Sequence, residues 1–406
     1  MKHSYHWHIL ATFTKRILLK KTLFFWLLLT SFFAIRSHAQ TADSCGLRIS
    51  LLTCSPGSEL YSSFGHSAIR VTDLSNRSDM VFNYGTFDFD DPYFYKKFVK
   101  AQLLYFVTVY DMEDFLAEYR YFKRGVTEQV LQLSCGDKQK LVAALYENAK
   151  EENKYYKYDF AYDNCTTQLR DMLEKVTGEQ LKTTSIIPAE GITFRQLIHD
   201  YLKQNNQYWS GLGIDILLGS PLDKKISNRE AMFLPDYLLM ALDSATLKGQ
   251  PLVQEKKEIL PALAMSNSRS IFKPFFTFAV LFVLILLLSV LFRNSYSGLF
   301  RVFDFTLFFL CGALGCLLLF MWFATDHPMC KDNYNLLWAL PTHLPVAFFL
   351  FAKKKWVGHY FFFLCFYSIA LLAAWFVLPQ SLNPALLWIN GIIIVRSYFI
   401  SKRLKG

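Results

Sequence analysis

Tyr158-Asp159-Phe160-Ala161-Tyr162-Asp163-Asn164-Cys165-Thr166-Thr167-Gln168-Leu169-Arg170-Asp171 decides how the soluble part of this chain is read. An extended aromatic stretch runs into Asp163 or Asn164, both good helix caps. An amphipathic run then reaches Val176 and stops before Gly178. Cys165 therefore falls in the first turn of a helix, where free N–H groups and the positive dipole end favour thiolate over thiol. A buried or disulfide-bonded cysteine is the plainer alternative, because an exported chain meets an oxidising compartment.

About a hundred residues upstream lies Tyr61-Ser62-Ser63-Phe64-Gly65-His66-Ser67-Ala68-Ile69-Arg70-Val71, where alternation after His66 reads as a strand. A lone histidine is commonly a core residue bonded to a carbonyl. A strand histidine and a helix-start cysteine are also the two parts of a thiol nucleophile with its general base, which geometry rather than chain order defines. Between residue 41 and Leu263 the other histidine is His199, on an ordinary amphipathic helix and expected at the surface; the other cysteines are Cys45, Cys54 and Cys135. That inventory cannot easily build a metal site. No HExxH, Gly-x-Ser-x-Gly, P-loop or GxGxxG pattern occurs. With Cys165 reserved, at most one disulfide can form among the other three.

The composition divides the chain. Of 406 residues 53% are hydrophobic, 39 are Phe and 19% are charged, and the apolar excess crowds the region after Phe275. This excludes a single uniform soluble domain, disorder and a collagen-like fibre. Residues 1–39 carry Lys15, Arg16, Lys20 and Lys21, an apolar run from Leu23 to Ile35, and Ser37-His38-Ala39. They read as a signal peptide cleaved after Ala39 or as a signal anchor, and either one exports the soluble domain. Residues 41–263 form that domain, 264–274 the linker and 275–406 the membrane domain, with all of Lys248–Ser270 reading as linker-like. Five spans are expected: Phe275–Phe292, Val302–Ala324, Leu336–Ala352, Tyr360–Leu378 and Ala385–Ile400. With the soluble domain outside, the inner segments carry Arg293, Arg301, Lys353–Lys355 and Lys402, Arg403 and Lys405, against Lys331 alone outside. This bias accounts for much of the +10 net charge, and nothing calls for nucleic acid.

In the soluble domain, Leu47–Cys54, His66–Thr72, Met80–Tyr84, Leu103–Tyr110 and Val126–Leu133 read as strands. Helices are expected over Asp111–Phe122, Gly136–Lys150, Asn164–Val176 and Thr193–Lys203, and from near Asn228. Strands first and helices later point to an α+β fold.

Gly65-His66-Ser67-Ala68-Ile69-Arg70 followed by Asp163-Asn164-Cys165-Thr166-Thr167 resembles the circularly permuted papain-like group, which includes NlpC-type amidases and lecithin–retinol acyltransferases. More closely, the chain resembles the Lnb-type lipoprotein N-acyltransferases. That likeness rests on the same motifs together with Asn83-Tyr84-Gly85-Thr86-Phe87-Asp88-Phe89, His327-Pro328 and Asn333-Tyr334-Asn335-Leu336-Leu337-Trp338. The resemblance implies a permuted papain-like domain followed by about five transmembrane helices. It places the chain in the bacterial inner membrane, with the catalytic domain periplasmic and the C-terminus cytoplasmic.

It further implies a third polar residue, best matched by Asn83, orienting His66. The implied reaction is acyl transfer from a phospholipid through a Cys165 thioester to the α-amine of a lipoprotein's lipidated N-terminal cysteine, without cofactor or metal. Arg70, Asn164, His327 and Asn333 are candidate substrate-binding residues; Arg70 is alternatively half of a structural ion pair. Two rival readings keep the same residues. One is a membrane-tethered cysteine amidase or peptidase acting on peptidoglycan. The other is a non-enzymatic protein with Cys165 bridged to Cys135 or Cys54.

Overall fold

The computed structural model describes residues 45–187, 190–262, 272–293, 298–352 and 354–405. The signal or anchor at 1–39 and most of the 264–274 linker lie outside the described residues.

Seven strands build one antiparallel sheet: β1 (Leu47–Cys54), β2 (His66–Asp73), β3 (Ser78–Thr86), β4 (Leu104–Asp111), β5 (Val126–Leu131), β6 (Tyr155–Lys157) and β10 (Val253–Leu260). Their order is β10-β5-β1-β2-β3-β4-β6. Short strands β7 (Leu181–Lys182), β8 (Thr246–Leu247) and β9 (Gln250–Pro251) form a second, small sheet. Leu47–Cys54 is buried almost throughout, as expected for a strand covered on both faces.

One face packs against helices α3 (Cys135–Asn148), α4 (Cys165–Thr177) and α8 (Pro235–Asp243). The apolar side of α4, Leu169, Met172 and Leu173, lies on Ile69, Val71 and Phe82. At about 1.5–3 kcal/mol per fully buried large apolar side chain, these contacts hold the start of α4 over β2 and β3. Helix α2 (Met112–Tyr121) covers the opposite face, with Phe115 and Tyr119 against Leu52, Cys54 and Ala68. Between β3 and β4 lies the short helix α1 (Phe94–Val99).

Strand β10 corrects the reading of Lys248–Ser270 as linker. Glu255-Lys256-Lys257-Glu258 pairs along β5 on the sheet's edge, and those four side chains are exposed. An edge strand facing water needs no apolar alternation and is blunted by charge, so its composition looks like a loop.

A helical group comes next: α5 (Phe194–Gln204), α6 (Tyr208–Leu217) and α7 (Asn228–Ala231). Leu212 of α6 joins the core of the C-terminal helices, which include Phe308, Trp338 and Phe361. Asn333 Nδ2 donates to the carbonyls of Ile216 and Leu217 at 2.9 and 3.0 Å, and Asn335 Nδ2 to that of Asp215 at 2.7 Å. Gly219 is required here, since a Cβ at this position would stand 1.9 Å from the Lys331 carbonyl oxygen.

Among the described residues of the C-terminal region three helices are long and apolar enough to cross a membrane: α9 (Pro274–Leu291), α10 (Gly298–Phe323) and α12, extended by a 3-10 turn to Lys355–Val377. The other two expected spans take different forms. Leu336–Ala352 contains a 3-10 turn (Tyr334–Leu337) and the seven-residue helix α11 (His343–Phe349), interrupted around Pro341, which cannot continue a helix. The last is α13 (Leu386–Lys405), whose buried Arg396 donates to both carboxylate oxygens of Asp304 at 2.6 and 2.9 Å. A buried charge there is tolerated because it is paired.

Candidate functional site

His66 begins β2, where it pairs with Cys54 of β1. Its Nε2 lies 2.5 Å from Asn83 Oδ1 on β3. A carbonyl oxygen only accepts, so Nε2 carries the proton and Nδ1 is left with its lone pair. Cys165 lies close enough to His66 for each to shift the other's ionisation, and a Cβ at Gly85 would stand within 4.0 Å of both side chains. The three residues come from two neighbouring strands and the helix packed across them, so the sheet fixes their spacing.

Asn164 fixes the helix start. Its Oδ1 accepts from the N–H groups of Thr166 and Thr167 at 2.8 and 2.9 Å, and Thr167 Oγ1 accepts from the Asn164 N–H. Asn164 Nδ2 donates to the carbonyls of Phe160 and Phe233. This capping box occupies the Asn164 side chain fully and aims the first turn at His66. Thr166 Oγ1 donates to Ser67 Oγ at 3.1 Å, tying that turn to β2. Among the described residues the Cys165 N–H has no hydrogen-bond partner.

This geometry sets the electrostatics. Burial pushes the Cys165 thiol up, but the adjacent His66 charge, the His66 hydrogen bond and the Ser67 N–H outweigh it, bringing the thiol from 9.0 down to about 7. For His66, burial disfavours the imidazolium, yet the neighbouring sulfur and Asn83 raise it above its ordinary value. A thiolate–imidazolium pair is thus accessible near neutrality. Cys54, by contrast, is driven up to about 12, chiefly by burial.

Two neighbours escaped the sequence reading. Gly85 (φ +94°) sits where the β3–β4 register breaks between Asn83 and Thr86. A Cβ there would stand 3.6 Å from Cys165 Cβ and 4.0 Å from both His66 Cε1 and Tyr156 Oη. The glycine leaves a notch bounded by all three groups. Tyr156 Oη is buried with no hydrogen-bond partner among the described residues. The signal for Gly85 lay in Asn83-Tyr84-Gly85; Tyr156, on a three-residue strand, had none.

The candidate substrate-binding residues are placed apart. Arg70 holds Asp79 (2.6 Å) and Glu128 (2.9 Å) on the sheet, an ion-paired position. Asn333 is occupied in joining the C-terminal region to α6. His327 is half-buried at the turn Pro328–Cys330, away from α4 in sequence but in the loop after α10. His199 corrects its surface reading: its Nε2 lies 2.9 Å from buried Asp215, which also holds Arg195 at 2.6 Å. Arg195, His199 and Asp215 line a cavity of about 870 Å³ facing Trp375 and Gln380, and none of its lining residues belongs to the thiol–imidazole group. Cys54, Cys135 and Cys165 are unbridged, as are the four cysteines of the C-terminal region. Among the described residues, no group of three His, Cys, Asp or Glu side chains is placed to hold a metal.

A sheet-borne histidine and a cap-positioned cysteine share one compact unit with helices long and apolar enough to cross a membrane. Two family models match and between them span most of the chain: the Lnb N-terminal periplasmic domain over residues 36–200 and the Lnb transmembrane domain over residues 266–405. The chain belongs to the Lnb family, and is a bacterial membrane protein with a periplasmic domain, of a kind associated with lipoprotein processing. No curated protein and no solved structure matches it.

Proposed function

We propose that this protein is a lipoprotein N-acyltransferase built on a permuted papain-like plan, with Cys165 as nucleophile, His66 as general base and acid, and Asn83 as the residue that orients His66. The thiolate attacks the carbonyl carbon of a phospholipid ester. The C–O bond breaks, and the departing glycerol oxygen takes the proton from the His66 imidazolium, leaving an acyl thioester on Cys165. The neutral α-amine of a lipoprotein's lipidated N-terminal cysteine then attacks the thioester. The C–S bond breaks, His66 takes the amine proton, and an amide and the thiolate remain. That amine, with pKa about 7.7–8.0, is partly neutral at pH 7.

The Cys165 side chain and the Tyr156 hydroxyl border the Gly85 notch, and in this reading the Cys165 N–H and that hydroxyl serve as donors to the tetrahedral oxyanion. The observation that supports the proposal is a histidine hydrogen bonded to Asn83 and bordering the same Gly85 notch as Cys165, in a chain whose C-terminal region carries three helices long and apolar enough to cross a membrane. A peptidoglycan amidase requires at most one anchor, whereas two lipid substrates require a reaction held at the bilayer surface. In this reading the soluble domain is periplasmic, the membrane is the inner one, and all five C-terminal segments belong to the bilayer domain with the C-terminus cytoplasmic.

The test uses cells lacking their own N-acylating enzyme, with lipoprotein N-termini read by mass spectrometry. Amide-linked acyl chains, abolished by Cys165→Ala, are expected. Free α-amines despite stable expression would overturn the reading, and muropeptide cleavage by the protein would replace it with the amidase.

A further inference from the structure

The strand that carries Asn83 and Gly85 leads directly into Phe87-Asp88-Phe89-Asp90-Asp91-Pro92-Tyr93-Phe94-Tyr95-Lys96-Lys97-Phe98-Val99-Lys100. Large aromatic side chains here face solvent, with Phe89 70% and Tyr95 82% exposed, and Tyr93 and Phe98 more than half exposed. A contiguous apolar patch of this kind on a soluble domain marks a surface that something covers.

The fold supplies the occupant. Asp326, three residues beyond the end of apolar helix α10, donates its N–H to the Lys100 carbonyl at 3.0 Å. Its carboxylate lies 3.4 Å from Gln102 Nε2 and 3.8 Å from Lys157 Nζ. The segment is therefore fastened to the level at which a membrane span ends. Aromatic rings mixed with lysines are the composition of the membrane–water interface, where the rings enter the headgroup region and the ammonium groups meet phosphates. Lys96 and Lys100 supply that charge at the end toward Asp326, while Lys97 is paired with Asp91, and Asp88 and Asp90 leave residues 87–100 without net charge.

A row of rings continues inward. Phe98 stacks on Phe94 (6.0 Å), Phe94 on Phe87 (6.0 Å), Phe87 meets Tyr105 (5.2 Å), and Tyr105 stacks on Tyr158 (4.3 Å). Tyr105 also pairs across β4 and β6 with Tyr156, whose hydroxyl borders the Gly85 notch beside Cys165.

We propose that residues 87–100 dock in the outer surface of the lipid bilayer, and that the ring row from Phe98 to Tyr158 guides a phospholipid acyl chain from the leaflet to Cys165. The guiding role rests on the acyl-transfer reading; the docking does not.

The experiment places a photo-crosslinking amino acid at Tyr95 in the full chain carrying Cys165→Ala, reconstituted in nanodiscs of phosphatidylethanolamine and phosphatidylglycerol. Phe323, at the end of α10, is the lipid-contact control. Leu74 is the other control, exposed in the β2–β3 turn at the far end of nine-residue β3, about 26 Å along the strand from Thr86. Lipid adducts at positions 95 and 323 but not at 74 are expected. Adducts at 323 without any at 95 would overturn the docking. No turnover is needed, so failure of acyl transfer leaves this result intact.

For the guide, Phe94→Ser with Phe98→Ser, two rings of the row, is expected to lower kcat/KM on a bilayer-embedded donor by about tenfold or more, the ~1.4 kcal/mol that a factor of ten represents. The Cys165 alkylation profile should stay unmoved. An unchanged rate on that donor would overturn the guiding role.

Discussion

His66→Ala isolates the imidazole's effect on the sulfur. In the intact protein the Cys165 thiol is brought from 9.0 to about 7, against burial, by the His66 charge, its hydrogen bond and the Ser67 N–H. At pH 7 about half of Cys165 is then thiolate, whereas a thiol at 9 is about 1% thiolate, a fall of about 50-fold. The more basic thiolate is intrinsically more reactive. With a Brønsted slope of about 0.4–0.5, two pKa units return a factor of about 6–10. The net loss in alkylation rate at pH 7 is therefore at least about fivefold, and larger as burial, opposed only by the Ser67 N–H and the Thr166 hydroxyl, carries the thiol beyond 9. The assay is iodoacetamide labelling of the full chain from pH 5.5 to 10, with the Cys165 peptide followed by mass spectrometry. Cys54, held up at about 12, serves as an internal thiol that stays unlabelled through the neutral range. The midpoint should lie near pH 7 in the intact protein and above 9 in the variant. An intact-protein midpoint at 9 or higher, or one indifferent to His66→Ala, would refute the pairing.

Tyr156→Phe is expected to reduce kcat by about 10²-fold, as for loss of one oxyanion donor, while leaving the Cys165 labelling profile in place; equal kcat would remove Tyr156 from the site. Gly85→Ala forces a side chain into a left-handed backbone and the notch, so a loss of about 1–3 kcal/mol in stability to denaturant and a larger loss of turnover are expected. Gly219→Ala drives a Cβ against the Lys331 carbonyl and should raise amide hydrogen exchange across 325–335, with exchange in β2 and α4 unchanged. His327→Ala tests a substrate-positioning role for the loop after α10, and an unaltered KM for both substrates would exclude it.

Much of the site was legible because its cues are local. Asn164 before an amphipathic run announces a cap, and a cap sets the cysteine at a helix N-terminus whatever packs around it. Alternation after His66 announces a strand for the same reason. Asn83 was legible only through its motif, and Arg70 kept both its readings until the fold set Asp79 and Glu128 beside it. His199 looked like a surface residue because its acidic partner, Asp215, lies on the next helix. The edge strand β10 was hidden because charge, which blunts a sheet edge, also marks a linker.

By itself the amino-acid order determined the division into a periplasmic and a membrane part, the mixed helix and sheet character, and the two side chains proposed to react. Hydrophobic periodicity and capping are short-range, and they survive without a partner. Only the tertiary structure decided that Tyr156 brings an unpartnered hydroxyl to the notch beside the sulfur, that Gly85 opens that notch, and that the aromatic segment after β3 is tied to the end of a membrane helix. Each of those depends on strands and loops distant in sequence meeting at one end of a sheet, and no local pattern encodes such a meeting.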